Sequence, residues 1–202
     1  MKKIFLDCGA NRLHGLSHFC DALNLDNTWI VHSFEMNPNL TEQWSNLTTE
    51  QLSEQGWIVQ KDWPFDFHFH PYGLSTVEET VDFVQENTPE AGNQGSRLKK
   101  YWFDGHSTDV GGEVLKAKVI RFSDFIKQNC NPEDFIIMKM DIEGSEFDVI
   151  EDLISENLHT YFNEIYIEWH ERFFPNKEII NQRASSIKYF LEKDGVIIHD
   201  WV

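Results

Sequence analysis

The fold class is decided by one stretch, Phe135-Ile136-Ile137-Met138-Lys139-Met140, which is followed directly by Asp141-Ile142-Glu143-Gly144-Ser145-Glu146. Its first half is a short and mostly apolar run, typical of a strand buried on both faces of a sheet. Its second half turns acidic and leads into a helical pattern over 144–157. Open α/β sheets bind ligands at the carboxyl ends of such strands, so we expect Asp141 and Glu143 to face a substrate hydroxyl or a cation. The structural alternative is a charged helix N-terminus stabilised by Glu146.

The same alternation of apolar runs and helical segments extends in both directions from this stretch. Strands are predicted at 3–8, 29–34, 67–70, 80–84, 114–121, 164–169 and 195–201, and helices at 16–23, 37–52, 123–129 and 177–192. This order predicts an α/β fold with a doubly wound, mostly parallel Rossmann-like sheet and helices on both faces. At this length we expect one domain over residues 1–202.

A flexible insertion is predicted at 86–112. The segment is rich in Gly, Asn, Ser, Thr and Pro, and it contains the aromatic run Tyr101-Trp102-Phe103. Loops of this length in compact domains are usually functional or disordered. We expect the segment to order over a bound substrate, with the aromatic rings packing on a sugar or another apolar face. A merely disordered insertion is the alternative.

The composition limits the classes of molecule that the protein is expected to bind. The formal net charge of −17 disfavours nucleic acid and anionic membranes. No apolar run approaches the roughly 20 residues of a membrane span, and the start does not resemble a signal peptide. The 3 cysteines show no CxxC spacing, which argues against a disulfide framework or a cysteine zinc site. A cytoplasmic protein is therefore expected.

A second candidate site lies at the ends of the first two strands. Asp7-Cys8-Gly9-Ala10-Asn11 forms a small-residue turn before a helix, and Glu35-Met36 ends the second strand. Small residues let a ligand approach the backbone, and an acid at this distance accepts hydrogen bonds from ribose hydroxyls. Together they predict nucleoside binding. An ordinary glycine turn and an acid at a helix N-terminus are the alternatives.

These motifs together resemble the FkbM-type methyltransferases, which use S-adenosylmethionine (AdoMet). The similar positions are Asp7-x-Gly9-Ala10-Asn11, Phe34-Glu35-Met36-Asn37-Pro38, Pro71-Tyr72-Gly73-Leu74-Ser75, 120–126, Lys139-x-Asp141-x-Glu143-Gly144-x-Glu146 and 165–170. The acidic motif with its lysine and glycine is the most specific of them. The resemblance implies a class I Rossmann-like enzyme that O-methylates a hydroxyl on a sugar, a glycan or a related small molecule.

The resemblance also implies residue roles. Asp7, Gly9 and Asn11 would border the methionine moiety of AdoMet, Glu35 would hold the ribose, and the turn from Tyr72 would lie near adenine. Ala10, Met36, Gly73, Leu74 and Asp141 complete the expected cofactor-binding set. Relative to the usual methyltransferase fold the chain is expected to be truncated at both ends. The pocket is then open, closed by the insertion, or completed by a second subunit. The last alternative would make the protein a homo-oligomer.

AdoMet carries an activated methyl group, so the protein mainly aligns the acceptor and removes its proton. Asp141 is the first choice of base, with Glu143 and His170 as alternates. No metal ligand is assigned, although a divalent cation on Asp141, Glu143, Glu168 and His170 is a less favoured version. Two other classes stay open: a non-catalytic or partner-dependent AdoMet-binding protein, and an NAD-dependent oxidoreductase. The incomplete glycine fingerprint counts against the oxidoreductase.

Overall fold

The computed structural model describes residues 1–60, 62–86, 96–101 and 112–201. Its strands are β1 (Lys3–Cys8), β2 (Trp29–Phe34), β3 (Asp66–His70), β4 (Gly73–Ser75), β5 (Glu79–Glu86), β6 (Arg97–Leu98), β7 (Gly112–Arg121), β8 (Phe135–Met140), β9 (Glu164–Ile167) and β10 (Ile197–Asp200). Its α-helices are α1 (His14–Ala22), α2 (Pro38–Asn46), α3 (Thr49–Glu54), α4 (Phe122–Asn129), α5 (Glu146–Ser155) and α6 (Lys177–Lys193). Short 3₁₀ turns lie at Lys99–Tyr101, His159–Tyr161 and Glu171–Phe173.

The main sheet has the order β3-β2-β1-β8-β9-β10, and every neighbouring pair in it is parallel. The chain builds outward from β1 to β3, returns to the centre at β8, and then builds the other way. The predicted doubly wound sheet is therefore confirmed, with its topological switch point between β1 and β8.

The side chains of β1 explain why helices cover both faces of this sheet. Ile4, Leu6 and Cys8 point into one core with the buried faces of α4, α5 and α6. Phe5 points into a second core with Leu16 and other apolar residues of α1, α2 and α3. A strand buried on both faces is mostly apolar, and in β1 only Lys3 and Asp7 are not.

A second sheet, not predicted as such, has the order β4-β7-β5-β6. In it β5 runs antiparallel to β6 and β7, while β4 runs parallel to β7. Strand β6 lies inside the predicted insertion, where Arg97 and Leu98 pair with Val84 and Phe83. Residues 87–95 and 102–111 of the insertion, with Trp102 and Phe103, lie outside the described residues. Tyr101 does not face a substrate as expected, because it is buried against Phe174 and its hydroxyl donates to Asp148.

Two helix predictions need correction. The helix expected over 37–52 is two helices, because Thr48 and Gln51 form a reciprocal capping box that starts α3. The helix expected from 144 starts at Glu146, because Glu143 and Gly144 have φ angles of 55° and 104°. That left-handed backbone turns the chain between β8 and α5. Among the described residues, no helix combines the length and apolar character that crossing a membrane requires.

Candidate active site

The turn after β1 approaches the end of β8 very closely. Gly9 has a φ of +82°, and a Cβ built on it would lie 1.7 Å from the backbone oxygen of Asp141. The amides of Gly9 and Ala10 donate to the carbonyl oxygen of Phe34 at 3.1 and 2.8 Å. Only glycine meets both the conformational and the spatial requirement at this position. The turn is therefore held between the ends of β2 and β8.

Glu35 connects the same turn to the start of α2. Its Oε2 accepts from the amide of Asn11 at 2.7 Å, and its Oε1 accepts from the amide of Asn37 at 2.7 Å. The residue is only 9% exposed, and burial raises the pKa of its carboxyl group. Each carboxylate oxygen has a further lone pair, so Glu35 can still accept from a ligand in the cavity it lines.

A row of polar side chains crosses the three central strands below the turn. Register places Ser33, Asp7 and Lys139 side by side. The hydroxyl of Ser33 donates to Asp7 Oδ2 at 3.1 Å, and Lys139 Nζ lies 3.7 Å from Asp7 Oδ1. Lys139 Nζ also donates to the Gly9 carbonyl oxygen at 2.7 Å and lies 3.3 Å from Asp141 Oδ2.

Both members of this buried pair have shifted pKa values. Burial raises the pKa of Asp7, although Lys139 opposes the shift. Burial lowers the pKa of Lys139, but the charges of Asp141 and Asp7 outweigh it and raise the pKa above its usual value. Lys139 therefore stays charged and connects β1, the glycine turn and Asp141.

A cluster of acids surrounds His170 at the ends of β8 and β9. His170 Nδ1 lies 2.8 Å from Glu146 Oε1, and its Nε2 lies 3.3 Å from Glu143 Oε2, 3.5 Å from Glu168 Oε1 and 3.8 Å from Asp141 Oδ1. Burial lowers the pKa of His170, but Glu146 and the other carboxylates outweigh it and raise the pKa to about 9. Burial raises the pKa of Glu143 to about 8, although His170 opposes the shift.

A second histidine group lies under the turn between β3 and β4. His32 Nδ1 is 2.9 Å from His70 Nε2, and His70 Nδ1 is 2.8 Å from the hydroxyl of Tyr72. Burial lowers the pKa of His32 to about 3 and that of His70 to about 4. Tyr72 is thus used within the protein, while Gly73 lies directly against the side chain of Met36.

These elements enclose a cavity of about 370 Å³ at the carboxyl edge of the main sheet. The volume falls in the range of small-molecule sites. Most of the predicted site residues line it, namely Gly9, Ala10, Asn11, Glu35, Met36, Gly73, Leu74, Asp141 and Glu143. Asp7, Tyr72 and His170 are not among its lining residues. Asp7 and His170 are fully buried.

Glu168, named from the sequence only as a ligand of the less favoured divalent cation, also lines the cavity. Further lining residues were given no site role from the sequence, among them His14, Gly15, Asn37, Phe83, Ser96, Lys139, Arg172 and Trp201. For Lys139 a signal was present, since a charged side chain within an apolar strand needs a buried partner. Ser96 and Trp201 reach the cavity only through the tertiary fold, and no local pattern marks them.

Comparison with known proteins identifies one family. The family model described as the methyltransferase FkbM domain matches residues 7–195. A crystal structure of the methyltransferase FkbM from Methylobacillus flagellatus KT is similar at 14% identity with a TM-score of 0.45. The alignment covers 91% of this chain and 37% of that one, so this chain spans well under half the length of that protein. Among curated proteins, none matches the sequence.

Proposed function

Because this chain belongs to the FkbM methyltransferase family, we propose that it transfers the methyl group of AdoMet to a hydroxyl oxygen of a sugar or a related small molecule. The observation that carries the choice of cofactor is the charge of the cavity. Its lining sets four acidic residues, Glu35, Asp141, Glu143 and Glu168, against two cations, Lys139 and Arg172. Such a lining favours a ligand that carries positive charge, as AdoMet does on its sulfonium and ammonium groups.

The same charge disfavours a dinucleotide. The pyrophosphate of NAD is anionic and needs free amides or cations at the glycine turn. Here the amides of Gly9 and Ala10 already donate to Phe34, and the amide of Asn11 donates to Glu35. Lys139 is the cation beneath the turn, and it is paired with Asp7 and Asp141. The turn therefore suits a nucleoside held by Glu35 better than a pyrophosphate.

AdoMet supplies the activated methyl group, and the chain's own residues supply position and proton transfer. Glu35 accepts from the ribose hydroxyls, and the 9–11 turn and the Gly73-Leu74 segment border the rest of the cofactor. Asp141 is the base that takes the acceptor's hydroxyl proton as the oxygen–methyl bond forms and the sulfur–methyl bond breaks. Its carboxylate is one quarter exposed toward the cavity, and Lys139 holds one of its oxygens.

The test separates binding from chemistry. Calorimetry should show AdoMet binding to wild type and to Asp141→Asn with similar affinity, and no binding of NAD. Methyl transfer over a panel of hydroxylated acceptors should fall on the order of 10²-fold or more in Asp141→Asn. The control is Asp124→Asn, which changes an exposed acid on α4 and should leave turnover unchanged.

Two results would contradict the proposed reaction, and a third would contradict the role of Asp141. NAD binding without AdoMet binding would favour an oxidoreductase. AdoMet binding with no transfer to any acceptor would favour a non-catalytic or partner-dependent binding protein. Undiminished turnover in Asp141→Asn would remove Asp141 from the role of base while leaving the cofactor in place.

A further inference from the structure

We propose that Asp141, Glu168 and His170 bind a divalent transition-metal ion at the rim of the cavity. One donor atom from each residue lies within 4.8 Å of the others. Metal ions coordinate nitrogen and oxygen donors at about 2.0–2.2 Å, so small side-chain movements would bring all three donor atoms to one ion. The role of this ion in catalysis rests on the proposed methyl transfer, whereas binding of the ion does not depend on that proposal.

His170 presents a nitrogen that points to a ligand. It is fully buried, and its Nε2 has no hydrogen-bond partner among the described residues. The other ring nitrogen, Nδ1, lies 2.8 Å from Glu146 Oε1. Glu146 also accepts from the amides of Ile142 and Gly144, so its carboxylate is an acceptor and Nδ1 is the donor. That hydrogen bond directs Nε2 toward the carboxylates of Glu143, Glu168 and Asp141, at 3.3, 3.5 and 3.8 Å. An ion bound there would displace the proton on Nε2.

The surroundings of His170 have the form found around metal-binding histidines. A buried carboxylate on the far ring nitrogen fixes the tautomer and the orientation of the ring. Glu146 supplies that carboxylate at 0% exposure, and Phe173 stacks on the ring with centroids 5.0 Å apart. The ring therefore has little freedom to turn away from the ion.

The ion has an entry path and a preferred identity. Asp141 and Glu168 line the cavity, so an ion reaches His170 Nε2 from the side where substrates enter. One imidazole with two carboxylates suits a first-row transition metal better than Mg²⁺ or Ca²⁺, which prefer oxygen ligands alone, and Mn²⁺ serves as the spectroscopic probe of such a site. Bound there, the ion would hold the acceptor oxygen and lower its pKa. Asp141 would hold the ion through Oδ1, the oxygen that faces His170, and keep Oδ2, the oxygen beside Lys139, for the acceptor's proton.

The experiment is a Mn²⁺ titration followed by electron paramagnetic resonance, with AdoMet and acceptor left out. Wild type should bind one Mn²⁺ per chain, and Glu168→Gln and His170→Ala should each weaken binding by tenfold or more. The matched control is His199→Ala, because His199 forms a separate histidine–carboxylate pair with Glu164 at 3.0 Å. It should bind Mn²⁺ as wild type does. Asp141 is left unchanged because both proposals use it.

Three results would overturn the metal site: no stoichiometric binding by wild type, equal affinity in Glu168→Gln and wild type, or an equal loss in His199→Ala. If circular dichroism shows that His170→Ala does not fold, Glu168→Gln decides alone. Calorimetry of AdoMet binding without metal tests the proposed function and not the metal site. Wild type that binds AdoMet and transfers methyl groups after chelation, while binding no Mn²⁺, would refute this site and keep the proposed function.

Discussion

Replacing Lys139 by methionine tests the polar row beneath the cavity. The substitution keeps the aliphatic length of the side chain but removes the charge that faces Asp7, which is 0% exposed. Leaving a buried charge without its partner costs about 3–5 kcal/mol of unfolding free energy. The lost hydrogen bond to the Gly9 carbonyl oxygen falls within that figure, since it belongs to the same ammonium group.

The assay is urea unfolding at pH 7, with wild type, Lys139→Met and the double variant Lys139→Met/Asp7→Asn. The double variant should recover at least 1 kcal/mol relative to Lys139→Met, because a neutral amide no longer needs a cation. An unchanged slope with urea would show that the unfolded states are comparable.

A matched surface lysine supplies the control. Lys127 is 41% exposed and pairs with Glu156 at 2.8 Å, so Lys127→Met should cost less than about 1 kcal/mol. A loss of about 1 kcal/mol or less in Lys139→Met, or no recovery with Asp7→Asn, would refute the reasoning that the buried pair holds the strands together.

The remaining predictions use the turn, the buried histidines and Glu35. Gly9→Ala should lower the unfolding free energy by well over 2 kcal/mol and abolish AdoMet binding. The control is Gly195→Ala, which has a φ of +90° and open space around it and should cost about 1–2 kcal/mol. Equal losses would show that backbone strain, and not the contact with Asp141, determines the cost at Gly9. His32 and His70 have folded pKa values of about 3 and 4, both below the unfolded value of about 6.5. Because the unfolded chain binds protons more readily, the contribution of these histidines to stability is full above about pH 6.5 and is lost as the pH falls. Urea unfolding at pH 5 should therefore show a loss of about 2 kcal/mol per histidine relative to pH 7.5, and His70→Gln should show a smaller loss than wild type. Glu35→Gln keeps one carbonyl acceptor and should weaken AdoMet binding by about 1–3 kcal/mol in calorimetry with the fold intact; unchanged affinity would exclude a ribose contact.

Local patterns in the sequence predict the main sheet well. The buried strands β1, β2 and β8 were predicted with the observed bounds, because a strand covered on both faces leaves a nearly continuous apolar run. The order of elements then fixes the doubly wound arrangement, since right-handed crossovers allow few alternatives. The same rule placed Asp141 and Glu35 at the carboxyl edge of the sheet, where both line the cavity.

The second sheet and the polar row were harder to predict. Strand β6 has two residues, and it exists only because β5 offers a free edge at Phe83 and Val84. The pairing of Lys139 with Asp7 depends on the register of β1 against β8, which no local pattern encodes. His170 was found as a candidate, but its carboxylate Glu146 comes from the start of α5, where only the folded chain brings the two together.

The bond between Lys139 and Gly9 joins residues that are 130 positions apart in the chain. Closing a loop of that length is entropically costly and slows folding. During synthesis at about 5–20 residues per second, the glycine turn waits roughly 10 seconds before β8 exists to support it. A ligand that needs Asp141 and Glu143 as well as the turn stabilises the chain only after β8 has paired with β1.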